Sequence, residues 1–168
     1  MELSKVAAEA EASATLALNA RAKALARDGV DVVMFTVGEP DFPTPENIRQ
    51  AAIRAIQAGF THYTPAAGMS ELREAISDKF KDENDLDYGP DQVLVSSGGK
   101  HCLYNLFMAL LQGGDEIIIP APYWVSYPDM AKLAGAKPVI IDADDKSDFK
   151  ITPAQLKKAL TPKTKLVV

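Results

Sequence analysis

The sequence predicts an α/β fold: a mainly parallel sheet with helices on both faces, preceded by an N-terminal arm and helix. Three observations carry this. From Gln92 onward, short apolar runs alternate with stretches of helical periodicity. The run Ile117-Ile118-Ile119 shows no polar alternation, as expected of a strand covered on both faces. Two turn-rich segments, Ser96-Ser97-Gly98-Gly99-Lys100 and Pro120-Ala121-Pro122, follow strand candidates, where the ligand edge of such a sheet lies.

Taken in order, the first 27 residues are rich in alanine and hold no Gly or Pro, so helix is the default. Ser13 is a candidate N-cap for a helix from Ala14 to Arg27, and Gly29 ends it. The arm up to Ala12 has weak apolar content and reads as a frayed terminus unless it packs on something else. Val32 to Phe35 reads as a short strand, after which Gly38-Glu39-Pro40-Asp41-Phe42-Pro43-Thr44-Pro45 excludes regular structure. Thr44, Pro45 and Glu46 form a helix start with N-cap, N1 proline and early acid. Ile48, Ala52, Ala55 and Ile56 give that helix one apolar face, and Gly59 ends it. Ser70 opens the next helix, with Leu72, Ala75, Ile76 and Phe80 at helical spacing.

The second half then reads as strand Gln92 to Ser96, helix Gly99 to Leu111, strand Glu116 to Ile119 and a helix near Val125 to Leu133. Strand Pro138 to Ile141, a short helix opened by Thr152-Pro153 and strand Lys165 to Val168 complete it. The last apolar run reaches the final residue with no turn or cap, so it is expected to be an edge strand or part of a longer chain.

Composition narrows the function classes. The 168 residues are 47% hydrophobic and 24% charged, which excludes general disorder and suits one core with a satellite. Eighteen Lys and Arg against 23 Asp and Glu leave a net charge of -5, which argues against nucleic acid and anionic membranes as partners. No apolar stretch approaches the roughly 18 residues needed to span a bilayer. A single cysteine, Cys102, and no signal-like start fit a reducing, cytoplasmic setting.

Four loops are candidates for chemistry. In Ser96-Ser97-Gly98-Gly99-Lys100, the glycines allow a tight turn whose N–H groups face an anion at a helix N-terminus, and Lys100 adds a charge. A phosphate cradle and a plain strand-to-helix turn both fit this spacing. A P-loop does not: Leu94 stands in place of its first glycine, and His101 in place of its Ser or Thr. The Pro120 to Pro128 loop carries Trp124, the chain's one tryptophan, which suits either packing or a ligand edge. In Val37-Gly38-Glu39-Pro40-Asp41, Asp41 reads equally as a turn cap, and the loop Thr61 to Gly68 carries Tyr63 with no evident partner. His62 and His101 lack neighbours at metal-ligand spacing, no Gly-x-Ser-x-Gly elbow exists, and Cys102 reads as a small core residue; no metal is expected.

Taken in sequence order, Gly38-Glu39-Pro40-Asp41-Phe42 with Thr44-Pro45, Tyr63 with Pro65 and Gly68, Gly98-Gly99-Lys100, and Pro122-Tyr123-Trp124-Val125-Ser126-Tyr127-Pro128 resemble a known family. It is that of class I pyridoxal-phosphate aminotransferases of fold type I, closest to the bacterial aspartate aminotransferase branch. The resemblance runs from about Ser13 to Val168. It implies that 1–45 are the arm and part of a small domain, and that 46–168 are the first part of a large cofactor-binding domain. It implies pyridoxal 5'-phosphate as cofactor, held at its phosphate by Gly98, Gly99 and Lys100, with Trp124 against its ring. Tyr63 would reach the neighbouring subunit's phosphate in a homodimer with shared sites. Gly38, Trp124 and Thr15 would meet an amino acid or 2-oxo acid substrate, aspartate being the expected one.

The sequence departs from the pattern at Ala12, where proline is frequent, and at His101 and Cys102, where smaller residues are usual. No catalytic residue is expected in this chain, because the family's Schiff-base lysine would lie beyond Val168; the 168 residues alone are expected to be inactive. A non-catalytic α/β module that binds a phosphate-bearing ligand or a partner remains the alternative.

Overall fold

The computed structural model describes residues 2, 4, 8, 14–36 and 38–168, and the expected Ser13 cap, the Ala12 position and Val37 lie outside them. The chain divides into two compact units, with the boundary between Asp91 and Gln92.

Residues 14–91 carry three helices: α1 (Ala14–Arg27), α2 (Glu46–Gln57) and α3 (Ser70–Asn84). The end of α1 is closed as expected, with Gly29 at φ 84° and its N–H donating to the Ala26 carbonyl. Pro45 is the N-cap of α2 rather than its first helical residue, and Glu46 in the first turn accepts from Gln50 and pairs with Arg49. Asp85 ends α3 in the left-handed region at φ 59°. Val32 to Phe35 forms no ladder, so the expected strand is absent among the described residues. A strand is completed by a neighbour's backbone, and this segment finds none.

Residues 92–168 form the α/β part. In order they are α4 (Gly99–Leu110), β1 (Glu116–Ala121), α5 (Ser126–Leu133), β2 (Lys137–Asp142), α6 (Pro153–Ala159) and β3 (Thr164–Val167). The sheet is parallel in the order β2-β1-β3, with Ile118 opposite Val139 on one side and Val167 on the other. Among the described residues β3 stands at one side of this sheet. Gln92 to Ser96, expected as a strand, instead leaves a 3-10 turn at Pro90–Gln92 and runs without ladder bonds. Its apolar run has the right composition, but no ladder includes it among the described residues.

The core explains the apolar run Ile117-Ile118-Ile119 of β1. Ile117 and Ile119 pack with Phe107 and Leu111 from α4 and its C-cap, and with Met130 and Ala131 from α5. Ile118, on the opposite face by strand alternation, is fully buried as well. Helix α6 is set by a complete capping box: Thr152 Oγ1 accepts from the Gln155 N–H at 3.2 Å while Gln155 Oε1 accepts from the Thr152 N–H at 2.8 Å.

Candidate functional site

Two loops of the 92–168 unit meet at the carboxyl edge of β1. One is the turn Ser96-Ser97-Gly98 that leads into α4; the other runs from Pro122 to Val125, between β1 and α5. Their meeting is shown by Lys100, whose Nζ lies 4.8 Å from the centroid of the Trp124 ring. Tyr127, in the first turn of α5, meets the Trp124 ring edge-on at 5.5 Å and 89° and so holds it upright. Trp124 remains 41% exposed, more than a residue that only fills a core.

The turn has the geometry an anion needs. Gly98 is the N-cap of α4 at φ 91° and ψ 164°, a conformation open essentially to glycine alone. Its own N–H donates to the Ser96 carbonyl at 2.8 Å. The N–H groups of Gly99 and Lys100, the first two of α4, meet no acceptor among the described residues. Two donors without an acceptor among the described residues thus stand at the positive end of a 12-residue helix, whose Lys100 ammonium lies over the Trp124 ring. An open cleft of about 420 Å³ lies beside them, lined by Ser97, Lys100, His101, Tyr104, Ser126 and Asp129 among others.

Side chains of α4 reach back to fix this turn. His101 Nδ1 accepts from the Ser97 N–H at 3.1 Å, and Asn105 Nδ2 donates to Ser96 Oγ at 3.4 Å. Neither tether is expected from the sequence: His101 is read there as a mismatch to a P-loop, as a non-ligand and as a departure from the family pattern, and Asn105 is not singled out. Their four-residue spacing on a helix that follows the turn was the available signal.

Thr15, Gly38, His62 and Tyr63 lie in the other unit. Thr15 is half-buried in the first turn of α1, Gly38 is exposed, and Tyr63 is fully exposed. His62 is exposed, and Cys102 is an exposed free thiol on α4 rather than the core residue expected. The helical periodicity turns Cys102 away from the core-facing side of α4 that carries Phe107 and Leu103. Among the described residues no group of three His, Cys, Asp or Glu side chains is placed to hold a metal, and no helix is long and apolar enough to cross a membrane.

The comparisons agree with one another. Residues 30–168 match the family model for aminotransferase class I and II. An aspartate aminotransferase of Bacillus sp. (strain YM-2) is 52% identical over 93% of this chain, and that of Bacillus subtilis (strain 168) is 48% identical over all of it. The solved aspartate aminotransferase from Thermus thermophilus with maleate superposes with a TM-score of 0.95 at 47% identity over the whole chain. The chain spans 40% and 43% of the two Bacillus proteins and 44% of the Thermus one. With an α/β fold, a parallel sheet and the glycine turn and tryptophan loop at its carboxyl edge, this chain belongs to the class I and II aminotransferase family.

Proposed function

We propose that the full-length protein is a pyridoxal-phosphate-dependent aminotransferase that moves an amino group between an amino acid, aspartate or another dicarboxylic one, and a 2-oxo acid. The observation that carries this is the pair of unsatisfied N–H groups at Gly99 and Lys100 beside the exposed Trp124 ring, in a chain of this family. The residues fit the cofactor. A phosphate is a dianion matched to two free donors and an ammonium, and a pyridine ring is matched to an indole face. When bound, the cofactor supplies the electron sink for bond breaking at Cα.

In this reading Gly98 shapes the turn, Gly99 and Lys100 hold the phosphate, and Trp124 orients the ring while Tyr127 holds Trp124. Gly38 and Thr15 meet the substrate, and Tyr63 serves the phosphate site of a second copy in a cytoplasmic homodimer. The 1–45 segment belongs to the arm and small domain and 46–168 to the large domain. The lysine that links to the cofactor and moves the Cα proton comes from the rest of the protein, so the 168 residues alone do not complete the reaction. Aspartate is supported by the names of the relatives, some of which, such as the Nitrosomonas europaea protein at 49% identity, are called aspartate/prephenate aminotransferase.

Replacing Trp124 by Ala in the full-length protein tests the reading. Loss of ring contact should weaken pyridoxal-phosphate retention about fivefold to tenfold, the scale of one aromatic stack. Retention unchanged by Trp124→Ala would favour a phosphate-binding module without this chemistry.

A further inference from the structure

Loop turns that bind phosphate through backbone donors work only if the donors are held in place before the ligand arrives, and here that task falls on α4 itself. His101 and Asn105 are one helical turn apart on α4 and both reach back to the residues preceding Gly98. The Ser97 N–H would otherwise compete for the incoming anion or turn toward water. His101 Nδ1 accepts it at 3.1 Å and so fixes the Ser96–Ser97 peptide plane, whose carbonyl accepts from the Gly98 N–H. Asn105 holds Ser96 from the same helix, and Gly98 N–H closes on the Ser96 carbonyl at 2.8 Å. The result is a turn with each N–H assigned: Ser97 to His101, Gly98 to Ser96, and Gly99 and Lys100 left for a ligand.

We propose that His101 is a positioning residue for the phosphate turn, acting through the Ser97 N–H with Asn105 as its second anchor. The proposal rests on the cofactor reading above and adds to it a residue that acts through the turn. The role requires an unprotonated Nδ1, because an imidazolium nitrogen donates and cannot accept. It requires no bulk: His101 is exposed, so its side chain supports no core.

That separation between acceptor and volume gives the test. In the full-length protein, pyridoxal phosphate affinity is read by equilibrium dialysis, with the bound cofactor measured by its absorbance, for the native sequence, for His101→Leu and for His101→Asn. The asparagine carries an oxygen acceptor at the place of Nδ1; the leucine carries none. The expected result is affinity weakened about fivefold by His101→Leu, the scale of one hydrogen bond, and recovery to within about twofold of native by His101→Asn. Thermal melting of the three proteins without cofactor should agree, since an exposed side chain is being changed. Equal affinity for native and His101→Leu, or an asparagine variant as weak as the leucine one, overturns the positioning role while leaving the cofactor reading intact. Failure of the native protein to bind pyridoxal phosphate overturns the reading itself, and the role with it.

Discussion

The two units of this chain use apolar residues differently. In 92–168, Phe107, Ile117, Ile118 and Ile119 are fully buried and a parallel sheet closes around them. In the described part of 12–91, Ala22 is the buried hydrophobic residue, while Ile48, Ile53, Ile56 and Phe35 stand 44% to 92% exposed. Both regions have helical periodicity, but only one has a sheet to bury it against. An amphipathic pattern predicts a helix; burial depends on what the helix meets.

The largest expected effect sharpens that contrast. Ile118→Ala should cost about 3–4 kcal/mol, as a buried branched side chain removed from a packed strand does. Ile56→Ala, on a helix with no buried residue, should cost less than about 0.5 kcal/mol in the 168-residue chain. Urea unfolding of both variants measures the difference. A large cost for Ile56→Ala in the full-length protein alone would show that the α2 face is covered by the rest of the sequence.

Next in size is a contrast between two glycines, one in each unit. Gly98 has φ 91°, so Gly98→Ala should cost about 1–3 kcal/mol from backbone strain, although nothing stands within 4 Å of the added Cβ. Gly38 has no such φ and equally open surroundings, so Gly38→Ala should change stability by less than about 0.5 kcal/mol. Chemical denaturation reads the first difference. If Gly38→Ala raises the KM for the amino acid while leaving the melting temperature unchanged, its glycine serves close approach of a ligand and not the fold.

The same contrast explains what the sequence could and could not reveal. Helix α4, strand β1, helix α5, strand β2 and the Thr152 start of α6 lie within two residues of their expected bounds, because each carries its own periodicity, cap or punctuation. Val32 to Phe35 and Gln92 to Ser96 were expected as strands and are not, because a strand is a property of two segments and composition reports only one. The glycine turn and Trp124 were visible as candidates, and their approach was not: nothing in the spacing of Lys100 and Trp124 puts an ammonium 4.8 Å from an indole. The tether from His101 to Ser97 was hidden for a simpler reason. A histidine after a glycine turn has many readings until its acceptor nitrogen is seen facing an N–H.

The smallest expected effect tests whether the sheet unit behaves as a whole. Glu116 opens the central strand, is 9% exposed and sits where the three strands begin. The Thr161 hydroxyl, from the turn before β3, donates to it at 2.7 Å, and Lys137, at the start of β2, approaches at 3.7 Å. The Thr161 hydrogen bond above all, with Lys137 and Lys163 adding to it, holds the carboxyl below its usual range against the opposing effect of burial. A carboxylate whose pKa is depressed by folding contributes stability that is present above the unfolded-state value and is lost as pH falls through the folded one. Stability measured against pH should therefore decline on acidification below the ordinary carboxylate range. Glu116→Gln should remove part of that decline, so that the two proteins converge at low pH. Thr161→Val removes the hydroxyl that most lowers the folded-state pKa and leaves the charge, so its acid decline should be smaller and should level off at higher pH. Identical profiles for all three proteins would mean that the three-strand junction takes no stability from the ionised carboxylate, and that the apolar residues of β1 hold the sheet unaided.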